Sequence, residues 1–112
     1  MPFDRESLLE EYEDDKDILA RMVEIFDRDC AARLPKIRQA IESGDAAALS
    51  SEAHALKGGL GTFFATDTYE TAYVLENLGR EGNAGEDAAS TFGKLESELK
   101  EFREAIDAMI NS

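Results

Sequence analysis

Cysteine and histidine are almost absent from this sequence of 112 residues, which contains one of each, Cys30 and His54. A single cysteine cannot form a disulfide within the chain, and one cysteine with one histidine cannot supply the common ligand sets of a zinc site. Cys30 stands among apolar residues, so we expect it to be a small buried hydrophobic side chain in a reducing compartment. The sequence predicts neither a disulfide framework nor a bound metal or other cofactor.

Basic residues are also scarce, since 12 lysines and arginines stand against 25 aspartates and glutamates, a formal net charge of −13 at pH 7. Such a charge repels phosphodiester backbones and anionic lipids, which argues against nucleic acid and membrane surfaces as partners. No apolar run approaches the length that spans a membrane, and the first residues lack the pattern of a secretion signal. We therefore expect a cytoplasmic protein.

Only two prolines and eight glycines interrupt a chain that is 43% hydrophobic and 33% charged, a composition typical of a folded globular protein. The length suits one hydrophobic core, so we expect a single domain over residues 1–112. No segment shows the alternation of a β-strand. The sequence thus favours an all-α fold.

Two long segments carry apolar residues at alternating steps of three and four, the pattern of an amphipathic helix. The last, about 87–110, has the stripe Ala88, Phe92, Leu95, Leu99, Phe102, Ile106 and Met109. The earlier one begins after an N-cap at Asp14 or Asp15, ends at 43–45, and has the stripe Ile18, Met22, Phe26, Cys30, Leu34, Ile37 and Ile41. Pro35 lies inside this helix and predicts a kink rather than a break.

Three shorter helices complete the pattern. Asp45 caps a helix that reaches about Phe64, and Asp67 with Glu70 resembles a capping box that opens a helix over 68–80, with Ala72, Leu75 and Leu78 facing inward. A short helix over about 4–12 offers Leu8, Leu9 and Tyr12 to the core. We predict an antiparallel up-down-up-down four-helix bundle whose short N-terminal helix covers one end; a coiled-coil array is the weaker alternative.

The helix that begins after Asp45 has the apolar stripe Leu49, Ala53, Leu56, Leu60 and Phe63. His54 lies off this stripe, which predicts an imidazole that reaches solvent. Lys57, Gly58 and Gly61 follow at three, four and seven residues and share its face. Each glycine inside a helix costs about 1 kcal/mol relative to alanine, so Gly58 and Gly61 suggest that the surface beside the ring must stay open. For Gly59, which points elsewhere, we expect only close contact between helices.

An accessible imidazole can accept a phosphoryl group at neutral pH and pass it on, because the N–P bond is labile. Lys57, one turn away, offers an ammonium group for the phosphate oxygens, and Ser50 and Ser51 are candidate hydrogen-bond partners of the ring or the phosphate. A lone surface histidine with a nearby lysine is more often ordinary helix surface. The glycines change that balance, since local violations of helix preference concentrate at functional sites.

The stretch "AHALKGGLGTFFA", residues 53–65, resembles the signature of the histidine-containing phosphotransfer (HPt) domain family, and the order of helices agrees over the whole chain. The resemblance implies that His54 is the phosphoacceptor, that Lys57 steadies the phosphate, and that Gly58 gives room to partner and phosphate. Gly61 matches a position where the family favours a small residue. Phe64 departs from the pattern, because many members have glycine there, and this puts the local turn in doubt.

The same resemblance implies the partners. Phosphate would pass between His54 and the phosphoaspartate of receiver domains, one in a hybrid sensor kinase and one in a response regulator, with Mg²⁺ held by the receiver. The resemblance also implies that the domain has no kinase activity, and the sequence agrees, since no nucleotide-binding motif is present. We expect a monomer.

Two other interpretations remain open. The glycine-rich face could serve a helical adaptor that binds a signalling protein without chemistry, and the acidic run Glu10–Asp17 could bind a divalent cation, although it lacks a calcium-loop pattern. A conventional enzyme is less favoured, because no catalytic triad or acid–base pair has a recognisable spacing.

Overall fold

The computed structural model describes residues 2–112, and 83% of these residues are helical. Its five α-helices are α1 (Arg5–Glu11), α2 (Lys16–Ser43), α3 (Ala46–Thr62), α4 (Thr66–Arg80) and α5 (Glu86–Ile110). Each long helix packs against its neighbour in sequence, and α5 returns against α2. The predicted four-helix bundle with a short N-terminal helix is confirmed.

Aspartate side chains begin three of the helices at predicted positions. Asp4, Asp15 and Asp45 each accept hydrogen bonds from backbone N–H groups in the first turn that follows. Gly44, with a φ of 72°, adopts the left-handed conformation that ends α2. α2 runs through Pro35 as one helix, while the predicted kink stays a prediction.

The start of α4 differs from the prediction. The helix begins at Thr66 after Ala65, and no side chain caps it, so the capping box predicted at Asp67 and Glu70 is wrong. The cause lies in the preceding turn: Phe64 has a φ of 56°, and Ala65 is buried in the core. The chain reverses so tightly after α3 that α4 starts before Asp67 can act as its cap.

The core confirms the apolar stripes predicted for α3 and α5, since every residue of both is buried. Phe26, Phe63 and Phe102 meet at its centre with ring centroids 5.4–5.8 Å apart. Phe3 and Leu8 of the N-terminal segment are buried in the core, and the Asp4 N–H donates a 3.0 Å hydrogen bond to the Phe64 carbonyl. The N-terminal helix therefore closes the core as expected.

The stripe predicted for α2 is partly wrong. Leu19, Val23 and Ala40 are buried there, whereas Ile18 is 49% exposed and Met22 is half-buried. The first turns of α2 carry two adjacent apolar stripes with the same spacing, one with Ile18 and Met22 and the other with Leu19 and Val23. The second stripe is rotated from the first by one residue, about 100°, and it is the one that faces the core. The outer stripe is left on the surface.

Cys30 is half-buried rather than fully buried. Burial, with the negative charges of Asp29 and Asp27, raises the pKa of its thiol to about 12. The thiol is therefore protonated and unreactive at neutral pH.

Two further features bear on function. No helix in residues 2–112 is long and apolar enough to cross a membrane. Within the same residues, no three His, Cys, Asp or Glu side chains lie close enough together to hold a metal ion. The structure thus offers no support for a cation site in the acidic run Glu10–Asp17.

Candidate functional site

The His54 side chain projects from the middle of α3 and is 64% exposed. Its position follows from the helix itself, because Ala53 and Leu56, on the stripe that α3 buries, turn the residue between them outward. A Cβ added at Gly58, one turn further on, would meet nothing within 4 Å. The ring therefore stands beside open space.

Glu76 of α4 contacts this ring from the interior of the protein. Its side chain has no solvent exposure, and its Oε2 lies 3.1 Å from the His54 Nδ1. Two cations approach the same carboxylate: the Lys57 Nζ lies 2.8 Å from Oε1, and the Arg80 Nη2 lies 2.6 Å from Oε2. One buried anion thus gathers three basic side chains from two helices.

The surrounding charges keep this carboxylate ionised. Burial raises the pKa of Glu76, but the contacts with Lys57 and His54 and the charge of Arg80 outweigh it, so the pKa lies below its usual value. The ion pair with Glu76 raises the pKa of Lys57 in turn. Both groups are charged at neutral pH, and Glu76 can act there only as a hydrogen-bond acceptor.

Lys57 is held more firmly than a surface lysine. Its side chain is 14% exposed, and its ammonium group lies 4.6 Å from the ring centre of Tyr73 and 5.8 Å from that of Tyr69. Cation–π attraction at these distances restricts the chain of a residue that is otherwise flexible. The ammonium group of Lys57 is therefore held against Glu76, the carboxylate that also contacts His54.

Gly79 lets α3 and α4 approach closely enough for these contacts. A Cβ added there would lie 2.6 Å from the Ser50 amide nitrogen and 2.8 Å from the Ala46 carbonyl oxygen. Backbone atoms cannot yield as a flexible side chain can. The contact between Glu76 and His54 thus depends on a residue without a side chain, one turn of α4 further on.

An apolar surface lies on the other side of α3. Ile18 and Ile25 are 49% and 59% exposed, and half-buried Met22 stands between them on α2. The groove beside them is lined by both helices, with Ala55 and Gly59 on the α3 side. We call the surface formed by these five residues the α2–α3 patch. It adjoins His54 and Gly58, which neighbour Ala55 and Gly59 in the sequence.

The comparison with protein families decides what kind of bundle this is. The model of the Hpt domain matches residues 21–111, and these include the whole of α3 and α4 with all the residues around His54. The chain belongs to the Hpt domain family. Its function is histidine phosphotransfer within a phosphorelay.

A solved structure agrees with the Hpt assignment. The crystal structure of histidine-containing phosphotransfer protein B from Pseudomonas aeruginosa PAO1 is similar over 98% of this chain and 95% of that one, with a TM-score of 0.88 and 25% sequence identity. No sequence among curated proteins matches significantly.

The Hpt structure brings together some of the residues singled out in the sequence and separates others. His54 and Lys57 share Glu76, and Gly58 opens the surface beside them. A Cβ at Gly61 would lie 3.5 Å from Tyr69, an ordinary contact, so its role in access stays a prediction. A Cβ at Gly59 would lie 3.2 Å from the Phe26 ring, which agrees with the close helix contact expected there.

The serines have a different setting. The His54 ring makes its hydrogen bond with Glu76, while Ser50 packs its backbone against Gly79 and Ser51 is exposed. The hydrogen bonding suggested for Ser50 and Ser51 stays a prediction.

Sequence reasoning missed Glu76, Arg80 and Gly79. A signal for Glu76 was present, because it follows Ala72 by four residues and Leu75 by one, which places a charge on the inward face of α4. A charged residue on a buried stripe is rarely found without partners.

Proposed function

We propose that His54 is the phosphoacceptor of this Hpt domain. The proposal rests on the environment of this exposed imidazole. One buried carboxylate fixes the ring, Lys57 and Arg80 contact the same carboxylate, and the surface at Gly58 is open. Such a ring is reachable by a large partner, and the two cations are placed to offset the charge of an incoming phosphate.

Phosphate would come from the phosphoaspartate of one receiver domain and go to the aspartate of another. A ring nitrogen uses its lone pair to form the N–P bond while the P–O bond to aspartate breaks and the carboxylate leaves with the electron pair. The reverse sequence at a second receiver returns the lone pair to the ring. The receiver supplies Mg²⁺, and this chain acts as a carrier without kinase activity.

The α2–α3 patch supports docking of the receiver beside His54. Its isoleucines are exposed on a protein with a formal net charge of −13, and exposed apolar groups gathered in one place mark interaction sites. The groove opens along the same α3 that carries the phosphoacceptor. We further propose that one receiver domain of a hybrid sensor kinase and one of a response regulator dock here in turn, in the cytoplasm.

The test is transfer from a receiver domain phosphorylated on aspartate, with Mg²⁺, to the protein and to a His54→Gln variant. Intact mass should show one added phosphate on the unaltered protein, removable by acid, and none on the variant. Binding of the unphosphorylated receiver should be equal for both. If the receiver binds both proteins but phosphate moves to neither, the chain is an adaptor and the proposal is wrong.

A further inference from the structure

The charges beside the α2–α3 patch differ from those of the chain as a whole, in which 25 acidic side chains stand against 12 basic ones. Asp29 of α2 and Glu52 of α3 face each other across the two helices, and Arg33 binds both. Its Nε lies 2.8 Å from Asp29 Oδ1, and its Nη1 lies 3.0 Å from Glu52 Oε2. The charge of Arg33 thus offsets carboxylates that would otherwise make this side of the bundle acidic.

Arg21 and Arg28 of α2 have a different setting. Ile25 follows Arg21 by four residues and precedes Arg28 by three, so the three side chains share one face of the helix. Both arginines are exposed, and in residues 2–112 no carboxylate oxygen lies within 4 Å of either guanidinium group. The other arginines of α2 to α5 all form ion pairs: Arg33, Arg38, Arg80 and Arg103. Two unpaired cations therefore border the most exposed apolar side chain of the α2–α3 patch.

Two exposed carboxylates of α2, Asp17 and Glu24, compete for these arginines. Asp17 precedes Arg21 by four residues, and Glu24 lies within one turn of both arginines. An ion pair between exposed side chains of one helix contributes little to stability and is easily exchanged for a better one. The two guanidinium groups therefore remain available to a partner.

The partner that the proposed function requires approaches with a negative surface. A receiver domain presents a phosphoaspartate at the point of transfer, and it also holds Mg²⁺, a cation that proteins bind through carboxylates. A carrier with a net charge of −13 repels such a surface unless cations stand at its own docking site. Arginine suits that place, because its guanidinium group binds a carboxylate through two parallel hydrogen bonds.

We propose that Arg21 and Arg28 are specificity-determining residues of the α2–α3 patch, which select receiver domains that carry carboxylate side chains around the apolar surface that covers Ile25. The inference rests on the proposed function and states which receivers the site accepts. Ile25 offers an apolar contact to any receiver of matching shape. The arginines favour one class of receivers and disfavour those that would leave a guanidinium group without a partner at the interface.

The two arginines act on the encounter with the receiver rather than on the chemical step. Charges at the rim of an interface mainly change the association rate and its dependence on salt. The ion pairs around His54 join Glu76 to side chains of α3 and α4, and neither Arg21 nor Arg28 takes part in them. Transfer within a formed complex should therefore keep its rate when the arginines are replaced.

The first experiment measures association with a panel of fluorescently labelled, unphosphorylated receiver domains from the same organism, in about 0.02 M and about 0.5 M NaCl. For the receiver that binds most tightly, Arg21→Gln/Arg28→Gln should associate about tenfold more slowly in low salt, and the difference should disappear in high salt. Lys94→Gln/Lys100→Gln is the matched control, because these exposed lysines of α5 lie outside the patch and their replacement changes the net charge equally. Its association rate should equal that of the unaltered protein.

The second experiment measures phosphate transfer from the same receivers, phosphorylated on aspartate, with Mg²⁺. In the arginine variant kcat/KM should fall by the same factor as the association rate, while the transfer rate at saturating receiver should be unchanged. The spread of kcat/KM values across the panel should narrow, because the variant no longer distinguishes receivers by their carboxylates.

The outcomes separate this inference from the proposed function. Equal association rates of the arginine variant and the unaltered protein in low salt overturn the inference, even where phosphate passes to His54. An equal loss in the lysine variant also overturns it, because net charge alone would then explain the effect. If a receiver binds in an arginine-dependent way but transfers no phosphate, the recognition surface stands and the phosphoacceptor role of His54 fails. If no receiver binds, both are wrong.

Discussion

The two sides of α3 that flank His54 differ in packing and in chemistry. Towards α4 the helices are in backbone contact at Gly79, and a buried carboxylate fixes Lys57 and the ring. Towards α2 the surface is apolar and open, with Ile25 59% exposed beside a groove. The side towards α4, which we call the rigid side, suits chemistry that needs one geometry. The side towards α2, which we call the open side, suits partners of different shape. Under the proposed function one carrier serves two receivers in turn, and it needs both sides.

The largest effect on this comparison should come from Gly79→Ala. The added Cβ would lie 2.6 Å from the Ser50 amide nitrogen, so α3 and α4 must separate. We expect a loss of about 3 kcal/mol in the free energy of unfolding, the upper part of the range for overpacking. Urea denaturation measures it.

Gly93→Ala, in the open part of α5, is the control for this change, since nothing lies within 4 Å of its added Cβ. It should raise stability by up to about 1 kcal/mol through helix propensity. Equal effects of the two substitutions would show that α3 and α4 are not in the close contact described.

The next largest effect should come from acid, which removes the stabilising charge of Glu76 on the rigid side. The pKa of Glu76 is lowered in the folded protein, so its contribution to stability is complete above the unfolded value, near 4.5, and is lost as the pH falls through the lower folded value. The free energies of unfolding of the unaltered protein and Glu76→Gln should therefore converge as the pH drops below about 4.5. A difference that stays constant between pH 7 and pH 3 would contradict a charged Glu76.

The open side should respond to Ile25→Asp in binding rather than in stability. Ile25 is more than half exposed, so the fold should be unchanged, while affinity for a receiver domain should fall about tenfold. Val74→Asp, a similarly exposed residue on α4 away from the α2–α3 patch, is the matched control and should bind normally. Equal loss in both variants, measured by calorimetry, would mean that added negative charge and not the patch explains the effect.

The sequence predicted the rigid and open sides unequally. The apolar stripes of α3 and α5 were sufficient to identify the buried face of each helix, because a single stripe leaves only one choice. The stripe of α3 also placed His54 on the outward face. On α2 two apolar stripes lie side by side, and only packing decided that Leu19 faces inward and Ile18 outward. The sequence places Glu76 on the inward face of α4, but its partners Lys57 and His54 are 19 and 22 residues earlier in the chain, so finding them required knowledge of which helices touch.

Gly58→Ala should change stability only slightly, and it is the sharpest test of why the site contains glycine. A Cβ there meets nothing within 4 Å, so the variant should be more stable by up to about 1 kcal/mol, as helix propensity dictates. The same methyl group stands one turn from His54, where under the proposed function a receiver reaches the ring. Transfer from a phosphorylated receiver should therefore slow, while reaction with phosphoramidate, a small phosphoryl donor that needs no receiver, stays normal. Unfolding curves and the two transfer rates separate these effects. A more stable protein with an undiminished rate from the receiver would show that Gly58 does not serve access, and the open space beside His54 would then need another explanation.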